Sequence, residues 1–305
     1  MKNDYKKIFW QAGQEITPET FIQADNYICA QQNLIRKLIN RQYYGLLPVG
    51  DAATPSLIID AKLKGPDVVI ERLGCQGITK GGHLISFEEN QLPALLRQKR
   101  LSVATLKSPV CYVVLRVKSF EQVLIQPIDN PETPLALPAY ELDIKDLANI
   151  RENELPFLKI VHKDQNPVID WNYIPPSMSI RSHPRLMEHF RNVKLLMNEI
   201  LSLIFSKKSQ LVQLIYPVSS LIFDLEQLSL NEPPYYLIQL LRKIVKTTGI
   251  YLTSVQKFPE AIMKAPYNHD DIAGLLHSLI RCLQEIKMII GKEEIVEVED
   301  LTPRI

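Results

Sequence analysis

The sequence predicts a multidomain β + α protein, an antiparallel β-rich domain followed by an antiparallel four-helix bundle. Three observations predict it. Residues 48–172 hold most of the prolines and glycines, and these separate β-branched runs of strand length at roughly ten-residue spacing. Residues 184–291 repeat apolar residues at alternating steps of three and four. Between the two lies Tyr173-Ile-Pro-Pro-Ser-Met-Ser-Ile-Arg-Ser-His-Pro184, where Pro175 and Pro176 lack amide donors, so neither a helix nor a central strand can run through them. The expected organisation is an arm and helix over 1–46, a β domain over 47–174, a bundle over 175–291 and an acidic tail over 292–305, with Pro175 and Pro176 as the hinge.

The chain opens with Phe9-Trp10 in a short polar arm, then Gly13 and the helix start Thr17-Pro18-Glu19, with Thr at N-cap and Pro at N1. Phe21, Ala24, Ile28, Ile35 and Leu38 recur at helical spacing, and Gly45 is the expected stop. Two readings stand side by side. The stripe packs on the following domain, or the terminal aromatics dock a partner.

The expected strands are Leu57–Asp60, Val68–Arg72, His83–Phe87, Val110–Val117, Val123–Ile128, Leu158–His162 and Val168–Trp171. Short strands without interleaved helices indicate a sandwich or a barrel and argue against a doubly wound sheet. Ser182 is the expected N-cap of the first bundle helix, with Pro184 in its first turn. Its seam is Leu186, Phe190, Val193, Met197, Ile200 and Ile204. The second helix carries Leu211, Leu214, Val218, Leu221, Leu225 and Leu228, with Pro217 as a source of bending. A third, about Pro233 to Thr247, carries Leu237, Leu240, Leu241 and Ile244. The last, opened by a cap at Asn268-His-Asp-Asp271, carries Ile272, Leu276, Leu279, Leu283, Ile286 and Ile290. Such seams are the geometry of a bundle with shallow crossing angles.

Charge excludes some partners. Lys plus Arg number 35 against 34 Asp plus Glu, which supplies no electrostatic reason to expect nucleic acid or an anionic membrane. Cys29, Cys75, Cys111 and Cys282 lie far apart and read as reduced thiols, which points to a reducing compartment. No signal-peptide run follows the N-terminus, and the longest apolar stretch, Leu195 to Phe205, contains Asn198 and Glu199 and is too short to span a bilayer. A cytoplasmic protein without membrane insertion is expected.

No catalytic, cofactor or metal motif emerges. The glycine-rich stretch Gly74-Cys-Gln-Gly77-Ile-Thr-Lys80-Gly81-Gly82 has no Gly-Lys-Ser/Thr opening a helix, and it reads as a flexible hairpin rather than a phosphate loop. The six histidines are scattered, and His83, Cys75, Cys111 and His162 show no zinc spacing. Glu141, Asp143 and Asp146 alternate with apolar residues as on a solvated edge. No acid, base and nucleophile converge, so no enzyme is expected.

Trp10, Gly13, Thr17-Pro18, Phe21, Gln23, Asp25 and Tyr27 resemble the opening of the TssK (ImpJ/VasE) family of type VI secretion baseplate subunits. Tyr173-Ile-Pro-Pro and His183-Pro-x-Leu186 are similar to that family's junction, and Pro266-Tyr-Asn-His-Asp-Asp271 to a later segment. Thr20 stands where the family usually has His, and Ile22 where it often has Gln, so no role carries over to those two positions. The resemblance covers shoulder and neck only; the C-terminal head usual in the family would lie beyond Ile305, either cut away or naturally missing.

The resemblance implies a non-enzymatic, homotrimeric adaptor without cofactor, a β-sandwich shoulder and a helical neck, at the cytoplasmic face of the inner membrane when assembled. Its partners would be the wedge proteins TssF and TssG and, indirectly or through the missing head, proteins of the membrane complex. Phe9, Trp10, Gly13, Pro18, Phe21, Gln23 and Asp25 are the expected partner-binding residues. Leu195, Leu196, Leu201 and Leu203 lie off the first bundle seam, and a helix apolar on more than one face must be buried on more than one face. They are the expected trimer interface. The alternatives are the shoulder and neck of a phage-tail-like receptor-binding protein, and an enzyme using the Gly74–Gly82 stretch on a nucleotide or sugar.

Overall fold

Helical and strand periodicities separate cleanly in the computed structural model, which describes residues 7–40, 43–48, 55–88, 100–103, 108–125, 135–163, 166–207, 212–251 and 260–292. The chain divides into two units, Met1–Met178 and Ser179–Ile305.

The first unit begins with helix α1 (Pro18–Asn40) and continues with two antiparallel sheets. In one, the long strand β3 (Asp67–Ile78) is central. It pairs along one edge with β2 (Leu57–Lys64), from Leu57↔Cys75 to Lys64↔Asp67, and beyond that with β1 (Gly45–Leu46). It also pairs with β4 (Leu84–Phe87) and β5 (Arg100–Ser102). The second sheet has the order β7 (Leu135–Lys145), β6 (Val110–Ile125), β8 (Glu154–Lys163), β9 (Asn166–Ile169). Alternation along β6 sends Cys111, Val113, Leu115 and Val117 into one core with Val68, Ile70, Leu73 and Ile85 of the first sheet. Tyr112 and Val114 point the other way and meet Tyr173, the two tyrosine rings standing edge to face at 5.4 Å. Each fully buried Val, Leu or Ile in that core contributes about 1.5–3 kcal/mol.

The strands differ from expectation in three places. The glycine-rich stretch does form a hairpin, between β3 and β4, but Gly74–Ile78 are part of its first strand and only residues 79–83 turn, with Thr79 N donating to the His83 carbonyl at 2.9 Å. The two runs 110–117 and 123–128 form one strand through Ile125, because the interruption is a register shift between Lys118 and Gln122 and not a turn; residues 126–128 lie outside the described residues. Strand β7 is not among the expected strands. Its Pro138 masks the alternation, and a sheet edge tolerates proline because no ladder donor is needed there.

The junction segment is not an exposed linker. Tyr173 through Ser177 are buried, and β1 straps them: Leu46 N donates to the Pro176 carbonyl at 2.8 Å, and Met178 N to the Leu46 carbonyl at 2.9 Å. Gly45 therefore does not stop α1, which ends at Asn40; it opens β1 at φ +117°.

The second unit carries α2 (Pro184–Ser206), α3 (Val212–Gln227), α4 (Pro234–Tyr251), the short α5 (Glu260–Lys264) and α6 (Ile272–Lys292). Helix α2 packs on α3 and α6, and α4 packs on α3 and α6. The whole expected seam of α2 and the whole seam of α6 are buried, as are Leu214, Val218, Leu221 and Leu225 of α3. Leu228 is half-buried, and Leu211 lies outside the described residues, as do residues 293–305 of the expected tail. Helix α3 continues through Pro217.

The N-cap of α2 is His183, not Ser182. Ser182 closes a short 3-10 turn, where it shares a capping box with Ser179. His183 Nδ1 accepts from the Arg185 amide at 3.3 Å, and burial, with the nearby Arg185 and His189, pulls its pKa down to about 4. A folded-state value below the unfolded one means that stability is complete above pH 6.5 and is lost as pH falls towards and through 4. Up to about 2–3 kcal/mol of the second unit's stability is expected to vanish in that window. H183N keeps a capping acceptor and removes that titration, so its stability should fall less than the wild type's there, with His189, whose pKa burial also lowers, left to titrate; unfolding midpoints between pH 7 and 4 check this.

Candidate interaction surfaces

The arm and α1 form the first surface. Gln14 N donates to the Gln11 carbonyl at 3.2 Å and the Gln11 amide to Gln14 Oε1, making a turn that Gly13 completes at φ +80°. At the helix start Thr17 N donates to Thr20 Oγ1 at 3.0 Å, while the Thr20 hydroxyl donates to the Thr17 carbonyl at 2.7 Å. Thr20 thus carries a local capping bond. Glu19 sits in the first turn, its carboxyl held below the usual range by its own amide and by Thr17.

None of the 23 residues of α1 is buried. Phe21, Ile28, Ile35 and Leu38 of the expected stripe are exposed, so that stripe does not pack on the β core. A polar face makes the attachment instead. Asn33 Nδ2 bonds His83 Nδ1 at 3.0 Å, and Lys37 Nζ pairs with Glu152 Oε1 at 2.8 Å. Gly82, at φ +86°, lets the Asn33 carbonyl come so close that any Cβ would overlap it. The glycine-rich stretch therefore seats a helix. Phe9, Trp10, Gly13, Pro18, Phe21, Gln23 and Asp25 are all exposed on this surface, Phe9 at 78%. Ile22, Leu34 and Ile39 extend the apolar area, and their places off the expected stripe hide them from a search for one helical face.

The second surface is the face shared by α2 and α6, a groove of about 820 Å³. Leu195 and Leu203 line it opposite Ile280 and Met288, with Leu195 63% and Met288 55% exposed. Leu196 lies at its floor and is buried, while Leu201 and Leu203 are half-buried. Lys287 Nζ bridges to Glu199 Oε2 at 2.9 Å, and Lys207 Nζ donates to the Gly291 carbonyl at 3.0 Å. At one end His189 of α2 meets His277 of α6, Nε2 to Nε2 at 3.1 Å. Their 88-residue separation leaves no sequence signal.

Strands β6, β7 and β8 gather charge on one face. Arg116 Nε donates to Glu154 Oε1 at 2.7 Å, Nη1 to Glu141 and Nη2 to Asp143, each at 3.0 Å. Glu141 and Asp143, partly exposed on the edge strand β7 as expected, are also ion-pair partners across strands. Burial pushes the Glu154 carboxyl up, but Lys145, the Arg151 amide and Arg116 outweigh it and hold its pKa below the usual range. Cys75 and Cys111 are buried, their thiols pushed up to about 12 and about 11 by burial, while Cys29 is exposed. Among the described residues no three His, Cys, Asp or Glu side chains are grouped to hold a metal ion, and no helix is long and apolar enough to cross a membrane.

No family model and no curated protein matches the sequence. Solved structures do match in fold. A crystal structure of TssK is similar with a TM-score of 0.64 at 15% identity, over 93% of this chain and 69% of that one. A chain of the type VI secretion TssK–TssF–TssG baseplate subcomplex is similar with a TM-score of 0.62 at 17% identity, over 92% of this chain and 99% of that one. TssK from the EAEC type VI secretion system, bound to a nanobody, gives 0.59 at 14% over 88% of this chain and 68% of that one. Antiparallel sheets followed by packed helices are therefore, in this chain, the fold of TssK.

Proposed function

We propose that the chain is a non-enzymatic structural adaptor of a type VI secretion baseplate, a cytoplasmic homotrimer that attaches to TssF and TssG and links them to the membrane complex. The observation that carries this is the likeness, over 92% of the chain, to a protein solved within a TssK–TssF–TssG baseplate subcomplex. On this reading residues 47–174 are a β-sandwich shoulder and residues 175–291 a four-helix neck, joined at Pro175 and Pro176. Two exposed apolar surfaces then receive separate duties. The arm and α1, with Phe9, Trp10, Pro18 and Phe21, bind the wedge. The α2/α6 groove, with Leu195 and Leu203, meets sister subunits around a threefold axis.

The test is co-purification with TssF–TssG together with light scattering. The wild type is expected at three times the 35.0 kDa chain mass and bound to the wedge. Trp10→Ala is expected to keep that mass and lose the wedge. A monomeric wild type, or a W10A chain that still brings down TssF–TssG, overturns the assignment.

A further inference from the structure

The Nε2–Nε2 contact of the histidine pair at the end of the α2/α6 groove is bent rather than straight. A straight N–H···N bond at the observed 3.1 Å would place the two ring centres about 5.4 Å apart, because each ring extends directly behind its nitrogen. The centres are 4.8 Å apart, with the ring planes at 78°. The two nitrogens therefore do not face each other head-on.

Two imidazoles holding one ion at about 2.0–2.1 Å, with the ion at a right-angled to tetrahedral vertex, have nitrogens about 2.9–3.3 Å apart and ring centres about 4.5–5.2 Å apart. Both observed distances fall inside those ranges. Each histidine stands on a long helix whose neighbouring seam residues are buried, Phe190 and Val193 on α2 and Leu276 and Leu279 on α6, so the spacing is set by the core. His277 is exposed, which leaves solvent to complete the ion's shell.

We infer that His189 and His277 form a two-histidine site for a divalent transition ion such as Zn²⁺, clipping α2 to α6 through both Nε2 atoms. The donors are imidazole nitrogens without carboxylates, which selects zinc, nickel or copper over calcium or magnesium. Bound only by the ordered pair, the ion stabilises the folded second unit and acts beside the surface proposed for sister subunits, without being needed for that proposal.

Isothermal titration of the full chain with Zn²⁺ alone is expected to show one ion per chain, and about 0.1 mM Zn²⁺ to raise its Tm. H277A and H189Q each remove one ligand and are expected to weaken binding at least about tenfold and abolish the Tm rise, while keeping the metal-free Tm and the oligomeric mass. Wild type that takes up no Zn²⁺, or an H277A chain that binds as tightly as wild type (through exposed Cys29, for example), overturns the site. Loss of the trimer in wild type without loss of zinc binding would overturn the adaptor reading and leave this one standing.

Discussion

Gly45→Ala is expected to lower the stability of the first unit by about 3 kcal/mol or more, a drop in Tm of roughly 6–12 °C. Two effects add. At φ +117° an L-residue is strained wherever it stands. A Cβ there would also overlap the Pro176 carbonyl and lie 2.6 Å from the Ser177 amide nitrogen. Both of those groups are backbone and buried, so neither can swing aside as a side-chain end could. The carbonyl that would be struck is the acceptor for Leu46 N, and Leu46, fully buried, also holds Met178. One methyl group therefore loosens the strap between β1 and the Pro175–Pro176 segment at its centre. Thermal and urea unfolding check the result, with Gly65→Ala as the control: its φ of +63° carries the same class of strain, but no atom lies within 4 Å of its Cβ. Equal losses in the two variants would show that strain alone, and not the strap, sets the cost.

Glu154→Ala is expected to cost about 2–4 kcal/mol. The Glu154 side chain has no solvent exposure, and its carboxylate takes Arg116 and Lys145 on one oxygen, each at 2.7 Å, and the Arg151 amide on the other at 2.8 Å. Truncation leaves two cations facing each other across the vacated space and one amide unsatisfied. Arg116 keeps Glu141 and Asp143, which are more exposed, so the loss stays below that of an isolated buried pair. Because the folded-state pKa of Glu154 is depressed, its contribution is present above the unfolded value near 4.5 and fades as pH falls through the lower folded value. The first unit should therefore acid-unfold below the window in which His183 weakens the second. An E154Q chain whose first-unit acid transition matches wild type would refute the network's part in it.

The helix seams of the second unit are legible in the sequence itself. Leu186 through Ile204 and Ile272 through Ile290 are buried at every expected position, because a helix places residues three and four apart on one side whatever packs against it. The start of α1 at Thr17-Pro18 is legible for a related reason: capping depends on neighbours in the chain. Strand β7 and the union of two runs into β6 are not, since register belongs to a pair of strands and cannot be read from either one. The exposed apolar residues of the arm and α1 are half legible. Terminal aromatics suggest exposure, but whether the stripe of α1 is covered depends on the polar contacts of Asn33 and Lys37, which turn it away from the β core.

By itself the sequence determined the class of each half and the buried seams of α2 and α6, both consequences of dihedral preference and periodicity. Tertiary structure alone decided that Arg116 collects carboxylates 25, 27 and 38 residues away, that His189 meets His277, and that the proline pair is strapped down. Those outcomes follow from which surfaces pack together, and packing joins residues with no relation along the chain.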